Sequence, residues 1–464
     1  MPGYRSKAID VLKDFFSDRI ERLSPVRDRI FQEDVIPQQN QGVFNDVLFG
    51  IVRRYRSLDA IISTFSDYEL DNLQPDAHQI LRLAIYEILM VDSVPDHAAV
   101  NEAVELAKQR ASNSSGNFVN AILRNVQRNL MEDIWDMPGG PDDPGMEHLV
   151  PIRGEACREF ATQIMPDPRE GEDALRDFIG TFFNYPRWVV DRWMDRYGKE
   201  QTWSIARRQS RTPPLFLRRN PLTCDQETFE SAFADENISI TPTEVPRFYK
   251  LESGHHPESL PGFEDGWFFV QDPVQGRMTE PLSLNDGDTV VDLCAAPGGK
   301  STSIQERTRN ESTVLSIDLD PERLSRITEN VRRLQLSDIH AVCGDGSYPP
   351  VKPASADAAI VDVPCSNTGV LARRVEARYH LEDGLDDTLI PLQKRLLKEA
   401  TKLVKPGGQI LYSSCSLLPD ENEEVITELL RDRDELEVDL NNSETIFPET
   451  DLPSGGFYAL FDKN

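Results

Sequence analysis

The sequence lacks several features that would assign its class at once. No segment contains the roughly 18 consecutive apolar residues that a membrane-spanning helix needs. The first residues, Met1–Lys7, lack the apolar run of a signal peptide. The six cysteines form no C-x-x-C pair, so neither a zinc site nor a disulfide framework is expected. We therefore predict a cytoplasmic protein without membrane spans and without a bound metal.

Positive charge is also scarce. The formal net charge of −29 argues against binding of nucleic acid by bulk attraction. Arginine nevertheless outnumbers lysine and occurs in local clusters, at residues 53–56, 207–211, 218–219 and 373–378. Arginine suits bidentate contacts with phosphate and stacking on bases. Any RNA binding would depend on such clusters, although each of them could equally be solvated surface.

At 464 residues the chain is long enough for two or three domains. Residues 1–130 repeat apolar side chains at three- and four-residue steps, which predicts an all-α bundle. Residues 131–180 are rich in proline, glycine and acidic residues, which favours a linker or exposed loop. Residues 181–285 mix short strands and helices, so we expect a small α+β module there.

Residues 286–464 alternate strand and helix patterns regularly, which is typical of an α/β fold. We predict a Rossmann-like, doubly wound and largely parallel sheet in this catalytic domain. Its predicted strands are Thr289–Leu293, Thr313–Ile317, His340–Cys343, Ala358–Val361, Gln409–Ser413 and Phe457–Phe461. Ligands of such sheets bind at the carboxyl ends of the strands, so residues just after these strands are the candidate site.

The cofactor side of that site is predicted from a glycine turn and acidic residues. Gly298 and Gly299 lie where the first strand leads into a helix, so the backbone can approach a ligand closely. Asp318 ends the second strand, where a carboxylate can accept from both ribose hydroxyls. Asp345 follows the third strand and could accept from an adenine amino group. NAD and S-adenosylmethionine both suit this arrangement, but the G-x-G-x-x-G spacing of NAD sites is absent.

The chemical side is predicted from Asp362, Cys365 and Cys415, which lie at or just after the ends of two strands. Neighbouring strands lie about 4.7–4.9 Å apart, so both thiols could flank one base. Methylation at C5 of cytosine needs a thiolate that adds to C6, a group that hydrogen-bonds N3, and a base that removes the C5 proton. Either cysteine alone is more simply a small buried hydrophobic residue.

Three motifs carry a resemblance to a known family. The runs Pro95–Lys108 and Phe118–Arg124 resemble the NusB-type RNA-binding domain. The heptapeptide Cys294-Ala-Ala-Pro-Gly-Gly-Lys300 resembles the S-adenosylmethionine loop of RNA cytosine-5 methyltransferases. The segments around Cys365 and Cys415 are similar to the two cysteine motifs of the Sun/Fmu (RsmB-type) ribosomal RNA methyltransferases.

The resemblance implies S-adenosylmethionine as cofactor and roles for particular residues. Cys415 would be the nucleophile and Cys365 would assist product release, with Asp362 and Lys300 near the methyl donor and the base. Position alone cannot assign the two thiols, because DNA cytosine methyltransferases attack with the cysteine of their Pro-Cys pair. The cofactor-binding residues would be Cys294, Ala295, Ala296, Pro297, Gly298, Gly299, Lys300, Asp318, Arg323, Asp345 and Asp362.

The expected partner is ribosomal RNA, bound by a monomeric protein. We expect RNA contacts from Arg373, Arg374, Arg378 and Arg218. The predicted activity is transfer of a methyl group to C5 of a cytosine in 16S ribosomal RNA. Two alternatives stay open at this point. The same chemistry could act on transfer RNA or large-subunit RNA, or the chain could be a non-catalytic RNA-binding assembly factor.

Overall fold

The structure is a computed structural model that describes residues 3–252, 254–381, 383–431, 433 and 435–464. Its internal contacts divide the chain into two units. The first unit comprises Met1–Thr212 together with Leu371–Leu381, and the second comprises Pro213–Val370 together with Glu382–Asn464. None of the helices in the described ranges is both long and apolar enough to cross a membrane.

The first unit begins as the predicted helical bundle. Apolar side chains at helical spacing are buried, and α4 is buried on nearly every side, including its polar residues Gln79, Arg82 and Glu87. Pro75 starts α4 in the first-turn position that proline favours. The helices are α1 (Tyr4–Phe15), α2 (Leu23–Gln32), α3 (Gln38–Phe65), α4 (Pro75–Met90), α5 (Asp96–Arg110) and α6 (Asn113–Asn129).

The segment 131–180 differs from the prediction of a linker. It forms an antiparallel sheet in the order β1-β3-β2, followed by a helix. The elements are β1 (Leu130–Asp136), β2 (Leu149–Pro151), β3 (Ala156–Phe160) and α7 (Glu172–Phe182). Val150, Cys157 and Phe160 are buried apolar residues that anchor this sheet. The proline- and glycine-rich stretch is confined to the connection between β1 and β2. The prediction wrongly extended its loop character to the flanking residues.

The first unit also contains residues that the prediction assigned elsewhere. Helix α8 (Arg187–Gln209) belongs to it, with a kink at Gly198, where φ is +74°. The segment Leu371–Leu381 joins the same unit from far along the chain and contains the short helix α13 (Ala377–His380). Helix α8 contacts α7 within this unit, whereas the prediction placed its residues in the small α+β module.

The second unit starts with a small antiparallel sheet in the order β5-β6-β4-β7. Phe229, Phe233, Tyr249 and Phe268 form an aromatic core between this sheet and α9. The elements are β4 (Leu215–Arg219), α9 (Gln226–Asp235), β5 (Ile240–Pro242), β6 (Phe248–Leu251), β7 (Phe268–Val270) and α10 (Pro273–Arg277).

The second unit continues as the predicted α/β sheet, in the order β10-β9-β8-β11-β12-β14-β13. The strands from β10 to β12 are parallel, and β14 pairs antiparallel with both β12 and β13. The strands are β8 (Thr289–Asp292), β9 (Thr313–Asp318), β10 (Ile339–Cys343), β11 (Ala356–Asp362), β12 (Val404–Ser414), β13 (Leu436–Ile446) and β14 (Gly456–Lys463). The helices are α11 (Gly299–Arg307), α12 (Pro321–Arg333), α14 (Leu389–Leu403) and α15 (Glu423–Arg431).

This topology confirms the predicted fold class. The chain order of the sheet reverses beside β8, because β9 pairs on one side of it and β11 on the other. A crevice at the carboxyl ends of strands forms at such a reversal. The loops that follow β8, β9, β11 and β12 therefore meet at one edge of the sheet. The prediction missed β13, which pairs only with β14 and is more polar than the central strands.

Candidate active site

The loop Cys294–Lys300 leaves β8 and enters α11 at the edge of the sheet. Gly298 has a φ of +98°, a left-handed conformation that glycine adopts without steric cost, and it precedes the first residue of α11. Asp318, at the end of the neighbouring β9, is only 5% exposed and accepts a hydrogen bond of 3.0 Å from the Ala296 N–H. The glycine turn and the first predicted acid are thus brought together.

Two further predicted residues lie beside this loop. The Arg323 guanidinium donates to the Ala296 carbonyl at 2.5 Å and lies 3.5 Å from an Asp318 carboxylate oxygen. Asp345 follows β10, and its Oδ1 accepts from the Ser347 N–H and hydroxyl. A Cβ added at Gly346 would lie 2.3 Å from the Leu293 carbonyl oxygen, so Gly346 allows the β10 loop to approach the end of β8.

Asp362 and Lys300 form an ion pair on the other side of β8. The Lys300 Nζ lies 2.7 Å from Asp362 Oδ2, with side-chain exposures of 5% and 33%. The Ser413 hydroxyl donates to Asp362 Oδ1 at 2.9 Å, and Lys300 also donates to Gln275. Asp362 therefore has both oxygens oriented by partners while one third of its side chain faces solvent, where a substrate could reach it.

The two predicted cysteines contact each other. Cys365 follows β11 and Cys415 follows β12, and their Sγ atoms are 2.9 Å apart. Cys415 also lies 3.3 Å from the Asn367 side-chain carbonyl oxygen. The hydrogen bond with Cys415 and burial raise the pKa of the Cys365 thiol well above its usual range. The raised pKa favours the protonated form of Cys365, which is able to donate a hydrogen bond to the sulfur of Cys415.

Asp292 ends β8 beneath this site and was not among the predicted residues. Burial raises the pKa of its carboxyl to about 7. Its Oδ2 accepts from the Ser301 hydroxyl at 2.7 Å, while its Oδ1 is buried without a hydrogen-bond partner. Cys294, beside it, has its thiol pKa raised by burial, so it is inert compared with a reactive cysteine. The sequence of β8 does not indicate that its last residue, Asp292, lies under the crevice.

The polar groups at these strand ends suit a cationic nucleoside ligand such as S-adenosylmethionine. Carboxylates at three strand ends, Asp318, Asp345 and Asp362, can accept from ribose hydroxyls and amino groups and favour a positive charge. The first turn of α11 offers backbone N–H groups next to a glycine turn. No group of His, Cys, Asp and Glu side chains arranged to hold a metal ion occurs within the described ranges.

Known proteins resemble the chain over most of its length. Family models match residues 4–128 (NusB family), 185–254 (ferredoxin-like domain of RsmF/B-type methyltransferases) and 279–455 (16S rRNA methyltransferase RsmB/F). The probable ribosomal RNA small subunit methyltransferase B of Synechocystis is 31% identical, with 88% of this chain and 84% of the relative covered. The chain belongs to the ribosomal RNA small subunit methyltransferase B family. It is an S-adenosylmethionine-dependent RNA methyltransferase, as the resemblance in the sequence implied.

A second relative agrees with this family, and a solved structure agrees with the fold. The ribosomal RNA small subunit methyltransferase B of Proteus mirabilis is 30% identical, with 92% of each chain covered. The crystal structure of PH0851 has a TM-score of 0.74 at 22% identity, with 100% of this chain and 99% of that chain covered. The likeness to PH0851 shows the fold alone, and it covers the residues of both units.

Two of the predicted RNA-binding arginines are placed where RNA cannot reach them. Arg218 in β4 is fully buried and paired with Glu306 at 2.8 Å, and it stacks over Phe269. Arg378 in α13 is also fully buried and donates to the carbonyl oxygens of Phe183 and Gln209. The prediction for both residues is wrong, because a cluster of arginines in the sequence does not show which of them have buried partners.

The other two predicted arginines keep accessible surface. Arg374 is exposed and Arg373 is half-buried. Both lie in the segment Leu371–Leu381, shortly after Cys365 in the sequence. They stay candidates for contacts with phosphate.

Proposed function

We propose that this methyltransferase acts on C5 of a cytosine in 16S ribosomal RNA, through a covalent bond between Cys415 and C6 of the base. The observation that carries the proposal is the contact of 2.9 Å between the Cys365 and Cys415 sulfurs, at the strand ends next to Asp362. A single buried cysteine has a structural explanation, but two thiols in contact at the edge of a cofactor crevice suit covalent catalysis.

C5 of cytosine is a weak nucleophile, so the base must first be activated. The Cys415 thiolate adds to C6, and the electrons of the C5–C6 double bond move toward C5 and N3. Asp362, oriented by Lys300 and Ser413, must carry a proton at this step, so that its carboxyl O–H donates a hydrogen bond to N3 while negative charge develops there. Bound S-adenosylmethionine supplies the methyl group that becomes bonded to C5.

The second half of the reaction requires that the enzyme be released. The proton on C5 leaves to a base, its electron pair re-forms the C5–C6 double bond, and the C6–sulfur bond breaks to return the Cys415 thiolate. The pKa of Cys365 is raised chiefly by its hydrogen bond with Cys415. Once Cys415 is bonded to carbon that stabilisation of the protonated form is lost, so Cys365 becomes able to take part in proton removal.

The substrate class rests on the relatives and on the helical bundle. The relatives are named for the small ribosomal subunit, and residues 4–128 match the NusB family. The test is to incubate purified 16S ribosomal RNA, 23S ribosomal RNA and transfer RNA with enzyme and S-adenosylmethionine, and to locate 5-methylcytosine by bisulfite sequencing. Modification of one cytosine in 16S RNA supports the proposal. Modification only of transfer RNA or 23S RNA, or of another base atom, contradicts it.

We predict that Asp318→Ala weakens binding of S-adenosylmethionine by about 10- to 100-fold. The reason is that a hydrogen bond to a charged group contributes about 1.5–3 kcal/mol, and Asp318 also orients the loop through the Ala296 N–H. Isothermal titration calorimetry measures the affinity. Glu322→Ala, an exposed neighbour in α12, is the matched control and should bind normally. An unchanged affinity for Asp318→Ala would remove this residue from the cofactor site.

We predict that the double variant Arg373→Glu and Arg374→Glu weakens RNA binding by roughly tenfold or more and leaves S-adenosylmethionine binding unchanged. Each lost phosphate contact should also reduce the slope of log affinity against log salt by about 1. Filter binding at several salt concentrations measures both quantities. Arg431→Glu, on the exposed end of α15, makes the same type of charge change elsewhere and serves as control. An RNA affinity like that of wild type would show that these arginines do not bind RNA.

A further inference from the structure

The dipeptide Glu421-Asn422, just after the Cys415 loop, is fully buried although both side chains are polar. The Glu421 carboxylate accepts from the Ser366 N–H at 2.8 Å and from the Ser366 hydroxyl at 2.5 Å. It also accepts from the Gln393 amide at 2.9 Å, and that amide donates to the Pro364 carbonyl at 2.9 Å. Glu421 and Gln393 thus hold the backbone on both sides of Cys365.

Asn422 does the same for the other cysteine. Its side-chain oxygen accepts from the Ser414 hydroxyl at 2.6 Å, and its amide donates to the Ser416 carbonyl at 3.0 Å. These contacts lie immediately before and after Cys415. The Tyr412 hydroxyl, from β12, donates to the Glu421 carbonyl at 2.5 Å and fixes the backbone of the dipeptide itself. Two adjacent residues therefore reach the flanks of two cysteines that are far apart in the sequence.

A buried carboxylate is a poor way to increase stability, because well-packed apolar residues of similar volume are often as stabilising. Its value lies in fixed geometry, because its hydrogen bonds with the Ser366 N–H, the Ser366 hydroxyl and the Gln393 amide fix the residue that follows Cys365. The hydrogen bonds of the Glu421 and Asn422 side chains go to Ser366, Gln393, Ser414 and Ser416, and three of these four residues adjoin a cysteine. Glu421 and Asn422 therefore contact the two loops that carry the thiols.

We propose that Glu421 and Asn422 are positioning residues that set the separation of the Cys365 and Cys415 sulfurs. Glu421 acts on Cys365 through Ser366 and Gln393, and Asn422 acts on Cys415 through Ser414 and Ser416. The catalytic meaning of this separation rests on the proposed function, but the separation itself can be measured without catalysis.

The first test uses thiol–disulfide exchange with glutathione. Glutathione disulfide oxidises the two thiols to one disulfide and is reduced to two molecules of glutathione, so the equilibrium constant reports how closely the sulfurs are held. Mass spectrometry of the linked peptides identifies the Cys365–Cys415 bond among the six cysteines. Glu421→Ala and Asn422→Ala should each lower this constant at least tenfold, with a smaller loss for Glu421→Gln. Glu424→Ala, exposed in α15, is the matched control and should behave as wild type.

An exchange constant within twofold of wild type for both alanine variants would overturn the proposal. Thermal unfolding of each variant is measured alongside. If an alanine variant does not fold, Glu421→Gln and Asn422→Asp, which keep the size of the side chain, decide by the same threshold.

The second test separates positioning from stability. In the Cys365→Ala background, adding Glu421→Ala should slow protein–RNA adduct formation less than adding Asn422→Ala does, because Glu421 reaches the Cys415 loop only indirectly, through Ser366 and Ser416. Adding Asn422→Ala should still slow adduct formation, because Cys415 loses its orientation. Equal slowing by both would contradict the division of roles. If exchange is impaired as expected and no variant forms any adduct, the positioning roles hold and the covalent mechanism of the proposed function fails.

Discussion

Replacing Cys365 by alanine is expected to convert the enzyme into a covalent trap for its RNA. Cys415 would still add to C6 of the target cytosine, but the bond would not be broken after methylation. A protein–RNA adduct that survives denaturing electrophoresis should therefore accumulate when S-adenosylmethionine and RNA are present. Cys415→Ala should form no adduct and should lower the rate of methylation by about 10³-fold or more, the scale expected for loss of a nucleophile.

The contact between the two thiols makes this prediction specific. Cys365 is 9% exposed, and the hydrogen bond with Cys415 and burial raise the pKa of its thiol, which favours the protonated form. In that form Cys365 is suited to donate to a neighbouring thiolate and stabilise it, and not to attack the base. An adduct with Cys415→Ala and none with Cys365→Ala would exchange the two roles. The double variant is the control, because it must give neither adduct nor methylation.

Much of the site could be predicted from the sequence, because its parts follow strands. A strand that ends in Asp318, Asp362 or Ser414 has a simple pattern of apolar residues before a polar one. Parallel strands then bring their carboxyl ends to the same edge, so the fold class alone places Asp362 and the two cysteines together. The resemblance to the family added the assignment of the nucleophile, which spacing could not supply.

The remainder depends on contacts between residues that are distant in the sequence. Glu421 lies 55 residues from Ser366, and only the folded chain shows that its carboxylate accepts from the Ser366 backbone. Arg378 looks like part of an RNA-binding cluster beside Arg374, yet helix packing turns it inward onto backbone carbonyls. The linker predicted for 131–180 fails for another reason, since short strands there obtain their stability from pairing with one another.

The burial of Arg218 leads to the largest expected effect on stability. Arg218 and Glu306 are both 0% exposed, and Arg247 also lies 3.0 Å from Glu306. Glu306→Ala would leave the Arg218 charge buried without its partner, which costs about 3–5 kcal/mol. The melting temperature of the second unit should fall by roughly 10 °C, measured by calorimetry.

The double variant Arg218→Met and Glu306→Leu distinguishes a structural role for Arg218 from the RNA contact first predicted. Removing both charges leaves neither one buried alone, so part of the lost stability should return, while Arg247 still lacks its partner Glu306. RNA affinity of this folded double variant should equal that of wild type, because Arg218 has no accessible surface. Arg218 also donates to the Gly299 carbonyl at 2.7 Å, so the same variant should bind S-adenosylmethionine less tightly. Weaker RNA binding with normal cofactor affinity would instead return Arg218 to the RNA-binding surface.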